Sequence, residues 1–370
     1  MESFEKMTIA NSWALPKQSH SQEPSSKAKR YPKDCTFSKT DWDALAPFWY
    51  PIAFSNDVQT APVGTTLLDQ RLVIWRTSSL PDSQLCVAND ICLHRGVPLS
   101  MGHVEDEQII CKYHGFHYGA SGQCTKIPAN PEVHIPTRLC LITYPVKEAY
   151  GLIWTTLEGD ESTPLPAFPE WEDDDYQPIL PDSVDVSAAA GRQMEGFLDV
   201  AHFAWVHAES FGDRNNPIVP SYRVVPTAYG LKANYISTVS NFPKGFQHLA
   251  PKDFQWLRAF EVFLPFTALL RVHFPGEGRL CILNAASPVS ARQTRVFCPI
   301  ARNFDKDQPL EPVYEFNYQI FNEDKEIVES QYPEDLPLDL RVETHIEADQ
   351  TSIAYRKGLT QLGLSKLYTA

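Results

Sequence analysis

Hydrophobic and polar residues alternate in short β-type runs over much of the first half of the chain, at 65–68, 72–76, 85–89 and 108–111, with turn residues between them. Alternation with period two, punctuated by Gly, Pro, Asn and Asp, predicts a small antiparallel β domain. Gly119-Ala120-Ser121-Gly122 reads as a hairpin turn into a further strand at 123–127, and runs at 139–144 and 152–156 would close the domain. Before it, residues 1–40 are polar and irregular, an extension that Trp42 and Trp49 are expected to anchor. After it comes a proline- and acid-rich passage, 164–181, with Glu172-Asp173-Asp174-Asp175, which reads as a linker or a solvated edge. β-type runs return at 223–225, 231–235, 260–264, 269–274, 280–286 and 294–299, and helices are predicted at 193–209, 309–330 and 336–345. The layout is α+β: an all-β domain over 41–160, then a domain over 161–370 in which helices pack on one side of an antiparallel sheet. No internal repeat is evident.

Composition adds limits. A chain of 370 residues, 43% hydrophobic and 12% aromatic, is long and apolar enough for two domains with cores of their own. A net charge of −14 argues against nucleic acid or an anionic membrane as a general partner. Arg95, Lys112 and Lys126 could still dock an acidic protein, or be ordinary surface charges. The most apolar run, 262–270, is nine residues long and contains Pro265, too short to span a bilayer, and no apolar leader follows Met1. A soluble, cytoplasmic protein is expected. Six of the eight cysteines (Cys35, Cys86, Cys124, Cys140, Cys281, Cys298) lack framework spacing, which suits reduced thiols.

The other two belong to a pattern. Cys92-Leu93-His94-Arg95-Gly96 is followed, after sixteen residues from His94, by Cys111-Lys112-Tyr113-His114-Gly115. Two thiolates and two imidazoles are what a Rieske [2Fe–2S] centre needs, cysteines on one iron and histidines on the other. Cys2His2 also suits zinc, but zinc fingers usually pair like with like in each knuckle, whereas each half here supplies one of each. Both halves end in glycine, as tight cluster-wrapping loops would want. The chain resembles the Rieske family at this point. It lacks the additional loop cysteines of the respiratory branch, so the resemblance is to the oxygenase branch.

A second constellation stands at 195–207, with the skeleton Asp199-x2-His202-x4-His207. Two histidines and a carboxylate on one side of an iron form the facial triad of non-haem Fe(II) oxygenases. Five residues apart, His202 and His207 diverge by about 140° on an ideal helix, so they can share an ion only if the helix widens or frays. On its own, a histidine among Phe203, Trp205 and Val206 would be read as core. The order of a Rieske motif and then this skeleton is similar to that of ring-hydroxylating oxygenase α subunits, from about Trp49 to the end of the catalytic region.

That resemblance carries further expectations. It implies a helix-grip-like catalytic domain and a third iron ligand within 321–331, for which Asp324 is assigned, with Glu323, Glu326 and Glu329 as competitors. It gives Asp199 the part of bridging His202 to His114 of a neighbouring copy, and hence a head-to-tail homotrimer. Family members often carry asparagine where this chain has Glu195. The implied function is that of a terminal oxygenase using a [2Fe–2S] cluster and mononuclear Fe(II), fed by an NAD(P)H-dependent flavin reductase or a ferredoxin. It would hydroxylate or demethylate a small aromatic or heterocyclic compound with O2, as do the single-subunit vanillate, dicamba and caffeine demethylases. No nucleotide-binding glycine fingerprint is present, so NAD(P)H would bind the partner. The rival readings are a Rieske electron carrier without catalytic iron and a zinc-binding structural protein. Phe197, Phe203 and Phe263 are candidates for the pocket of a flat, apolar substrate, and equally candidates for core.

Overall fold

In a computed structural model, which describes residues 31–78 and 83–365 and the backbone of 367–368, three small antiparallel sheets precede one large one. Helix α1 (Lys39–Leu45) starts at Ser38, whose hydroxyl oxygen accepts the Asp41 N–H at 3.1 Å. It buries Trp42, whose indole N–H donates to the Leu68 carbonyl at 3.1 Å. The expected anchor is therefore a helix, too short at seven residues to show its period in the sequence. The expected extension over 1–30 lies outside the described residues.

Strands Val63–Leu67, Gln70–Arg76, Leu85–Asn89 and Thr143–Tyr144 form one sheet. His103–Glu105, Gln108–Ile110, His117–Tyr118 and Cys124–Lys126 form a second, and its neighbouring loops carry the cysteine–histidine motifs. Tyr50–Phe54, Leu152–Thr155 and Val146–Ala149 form the third.

The large sheet has nine strands, all antiparallel. Its path runs from Gln177–Ile179 through Ile300–Arg302, Arg279–Ser290, Thr267–His273, Trp256–Phe263 and Gly230–Ser237 to Arg223–Pro226. Gln293–Phe297 and Val184–Val186 extend it beside the far half of the long strand. One face packs on helices α2 (Ala190–Leu198), α3 (Glu311–Ser330) and α4 (Gln350–Gln361), with Met194, Leu198, Phe260, Val262 and Leu359 in the core. The other face, with Leu269, Leu283 and Phe297, packs on Trp49, Trp154 and Phe168. Both parts of the chain thus bury apolar surface against one sheet.

Three expectations change. Residues 164–181 are not a linker: Phe168 is buried, Glu170 pairs with Arg271, and Gln177–Ile179 is an edge strand of the large sheet. Residues 336–345 form no helix beyond the short strand Leu336–Pro337, because Glu343 is held by Arg192 and Arg356. The helix forms instead at α4, a sequence whose polar and glycine content masks it. The helix expected over 193–209 stops at Leu198, which decides the geometry of the second motif.

Candidate metal centres

The two Cys-His loops repeat one backbone form. In the first, the Cys92 N–H donates to Val97 O (2.8 Å) and the Gly96 N–H to Cys92 O (2.9 Å); in the second, Cys111 N–H donates to Phe116 O (2.9 Å) and Gly115 N–H to Cys111 O (3.0 Å). The turn closes at φ +74° for Gly96 and +67° for Gly115, a region that costs glycine nothing. The loops bring the His94 and His114 rings to 4.6 Å between centroids. His94 stacks on Phe116 at 4.6 Å, its Nδ1 buried without a hydrogen-bond partner among the described residues. Cys92 and Cys111 are buried, and burial together with the neighbouring Cys92 thiol raises the Cys111 pKa. An orphaned imidazole nitrogen beside two crowded thiols fits a metal that replaces their protons. The Leu93 N–H donates to the Tyr118 hydroxyl oxygen (3.2 Å), leaving its O–H to reach Cys92 Sγ at 3.4 Å.

At the second motif the helix ends where the sequence geometry requires it to. Asp199 leaves α2 with extended backbone (φ −73°, ψ 137°), and its Oδ1 accepts the Ala201 N–H at 2.7 Å. A short 3-10 turn, His202–Ala204, follows, and the N–H groups of Ser210, Phe211 and Gly212 converge on the His207 carbonyl. The break turns both imidazoles to one point, with Nε2 atoms 3.1 Å apart. Helix α3 passes close to α2, Gly196 lying against Val328, so that Asp324 Oδ1 stands 3.4 Å from His202 Nε2 and 3.1 Å from His207 Nε2. One ligand atom from each of His202, His207 and Asp324 lies within 4.8 Å of the others.

Each imidazole is held from behind by a carboxylate. His202 Nδ1 is 3.5 Å from Asp199 Oδ2 and His207 Nδ1 is 2.8 Å from Glu323 Oε2. Glu323 also accepts from the Ser210 hydroxyl (2.7 Å) and from Gln319 Nε2 (3.0 Å). Burial disfavours charge on His202, but Asp199 and Asp324 overcome it and carry its pKa up to about 9. Burial would raise Asp324, yet the two histidines hold it below the usual carboxylate range. Cation and anion clustered this tightly in a buried place fit a divalent ion that would substitute for the protons. Of the competing acids, Glu323 faces the outer nitrogen of His207, Glu329 accepts from the Ser187 N–H, and Glu326 is exposed.

A cavity of about 120 Å³ opens beside the trio, lined by Phe197, Phe203, Phe211, Arg258, Leu270 and Asn317 among others. Phe263 is not there. Strand Trp256–Phe263 alternates, so Phe263 points to the opposite face from Phe260, where its ring stacks on Tyr229 at 4.6 Å. Tyr118, the outer position of Glu323 and Arg258 escaped the sequence reading; only Arg258 left a signal there, a charge at an inward position of an otherwise apolar alternation. Glu195, in place of the family's frequent asparagine, is buried and ion-paired with Arg356.

A Rieske [2Fe–2S] cluster and a mononuclear iron in one chain, on this fold, define a Rieske-type oxygenase. The comparisons place the chain in that family: residues 48–145 match the Rieske [2Fe-2S] domain and 186–364 the vanillate O-demethylase oxygenase C-terminal domain. Methylxanthine N1-demethylase NdmA of Pseudomonas putida is 30% identical over 336 residues, 86% of this chain and 89% of that protein. Methylxanthine N3-demethylase NdmB of the same organism is 28% identical over 337 residues, 87% and 90% of the two chains. The solved structure of P. putida CBB5 NdmA with caffeine superposes with a TM-score of 0.76 at 28% identity, covering 88% of this chain and 93% of that one. The chain is thus an oxidoreductase, the catalytic component of an oxygenase system, and not an isolated electron carrier. No helix among the described residues is long and apolar enough to cross a membrane.

Proposed function

We propose that Cys92, His94, Cys111 and His114 hold the cluster, that His202, His207 and Asp324 hold the ferrous ion, and that Asp199 is a positioning residue between the two centres. The observation that carries the reading is the convergence of the His202, His207 and Asp324 donor atoms within 4.8 Å, in a chain that also bears the paired Cys-His loops. When bound, the irons supply electron storage and dioxygen activation. The chain's own groups do the rest. Asp199 and Glu323 draw each Nδ1–H outward, which leaves both Nε2 lone pairs directed inward. Two imidazoles and one carboxylate crowd one side, so the side toward the cavity stays open to dioxygen and substrate. The phenylalanines of that cavity exclude water and orient a small aromatic or heterocyclic compound.

Asp199 is 33% exposed, so it carries the edge of the buried site to the surface, and His114 is exposed as well. In our reading these two surfaces meet across copies of the chain, a heterologous contact that closes most simply as a trimer. A flavin reductase or ferredoxin docks near the exposed Arg95, Lys112 and Lys126. The demethylating relatives support hydroxylation of a methyl group on nitrogen or oxygen. The methyl C–H bond gains one oxygen atom of O2, the other leaves as water with two electrons from the reductase and two protons, and the hydroxymethyl product breaks its C–N or C–O bond to give formaldehyde and the demethylated amine or alcohol. An NADH-dependent substrate screen with a surrogate reductase, read by product mass and formaldehyde, tests the reading together with metal analysis. About three irons per chain are expected; about two, with no O2-dependent product, would refute it.

A further inference from the structure

Strand Trp256–Phe263 presents Trp256, Arg258, Phe260 and Val262 inward, and Arg258 is 1% exposed. A charge among three apolar neighbours needs an explanation, because burial of an ion without a counter-ion is unfavourable. The partners of Arg258 are all neutral. Nη1 donates to Ser237 Oγ (3.4 Å), and Nη2 to the carbonyls of Val239 (3.1 Å) and Ser240 (3.3 Å) and to Asn241 Oδ1 (3.0 Å). Among the described residues Arg258 forms no ion pair with a carboxylate, and burial brings its pKa down to about 10. Arg192 and Arg356 by contrast both meet Glu195 and Glu343, while Arg302, buried like Arg258 with neutral partners in Gln177 Oε1 and the Gln308 carbonyl, lies away from the cavity beside the trio.

Arg258 also stands at the site. Its guanidinium lies 5.2 Å from the Phe203 ring and 6.0 Å from that of Phe211, and Phe203 touches the His202 ring at 4.9 Å between centroids. It lines the same cavity as His202, His207 and Asp324. That cavity, about 120 Å³, is close to the ~150 Å³ that takes up a benzene-sized molecule. A ferrous ion held by one carboxylate would add a further net positive charge to the same wall.

We propose that Arg258 is a specificity-determining residue and that the substrate is a single-ring aromatic monoanion, whose planar or trigonal oxyanion pairs with the guanidinium while its ring lies among the phenylalanines. The proposal rests on the oxygenase reading of the neighbouring trio. Neutral oxygens hold the guanidinium in the cavity wall without discharging it, which leaves its charge to be met by an oxyanion in the cavity. Carboxylate and sulfonate share this chemistry.

The test is calorimetric titration of the iron-loaded protein with matched pairs: 3- and 4-methoxybenzoate against their carboxamides, and 4-methylbenzenesulfonate against its sulfonamide. At least one acid is expected to bind tenfold or more tighter than its neutral partner. Arg258→Gln should erase that ratio while leaving affinity for the neutral compound within about twofold, and Arg258→Lys should keep part of it. The carboxylate and sulfonate arms identify which oxyanion is preferred. Wild-type protein that binds amides as tightly as acids throughout, or an Arg258→Gln variant that keeps the ratio, would overturn the proposal; the wild-type comparison needs no variant to fold. Iron content near three with oxidation confined to neutral compounds would sink the Arg258 assignment and leave the oxygenase reading standing.

Discussion

Glu323 and Asp324, adjacent on helix α3, grip the same imidazole from opposite sides: His207 Nδ1 lies 2.8 Å from Glu323 Oε2, and His207 Nε2 lies 3.1 Å from Asp324 Oδ1. The helix turns by about 100° per residue, so neighbouring acids diverge just enough to reach around one ring. The outer carboxylate fixes ring orientation and raises the basicity of the inner nitrogen. Glu323→Ala should therefore weaken iron retention by roughly 10–100-fold, and Glu323→Gln, which keeps an acceptor, should recover part of it. Competition of the purified variants with a chelator measures this; unchanged iron affinity would show Glu323 to be a bystander.

Asp199 contacts His202 only through the outer nitrogen, at 3.5 Å, and leaves the inner face of the site intact. With iron supplied at saturating concentration, Asp199→Ala should keep both centres filled and the visible cluster spectrum unchanged yet lose most multi-turnover oxidation, by roughly tenfold or more. Normal turnover in that variant would remove Asp199 from the path between centres.

The Tyr118 hydroxyl reaches Cys92 Sγ at 3.4 Å from a fully buried position. A donor to a cluster sulfur favours the reduced, more negative state. A hydrogen bond worth about 0.5–1.5 kcal/mol, at about 59 mV per 1.4 kcal/mol for one electron, sets the scale. Tyr118→Phe should lower the cluster's reduction potential by up to roughly 60 mV with the cluster still assembled. Spectroelectrochemical titration of the two proteins decides it.

Arg356 binds both oxygens of Glu195 (2.6 and 2.7 Å) and one of Glu343 (2.5 Å), and Arg192 takes the other Glu343 oxygen at 2.8 Å. This buried set ties α2 to α4 and to the irregular segment between the last two helices. Removing one partner strands the others, so Arg356→Met should cost about 3–5 kcal/mol in denaturant unfolding. The same set predicts an acid limb. Burial works against the ionised Glu343, but Arg192 and Arg356 prevail and hold its pKa below the ordinary 4.5. Its contribution is thus complete above about pH 4.5 and is lost as pH falls through the depressed folded value, and Glu343→Gln should flatten that loss.

Much of this was legible along the chain, for physical reasons that differ from place to place. The runs at 72–76 and 85–89 became strands because alternation is a local property of a pleated backbone. The Cys-His loops were legible because each holds its two ligands and its closing glycine within five consecutive residues. Helix α4 and the irregular 336–345 were not, since Arg192 and Arg356 override the local preference of a distant segment. By type alone Phe263 was a candidate for pocket or core, and it is the register of its strand that turns it away from the pocket.

The sequence by itself determined which side chains are available: two cysteines, four histidines and a cluster of acids, at spacings that short loops can close. Only the tertiary structure decided where α2 breaks, which of the adjacent acids faces inward, and that an unpaired arginine shares the cavity. Those outcomes depend on the close crossing of α2 and α3, contacts between segments more than 100 residues apart, and on which face of the sheet each strand position takes, neither of which a local pattern encodes.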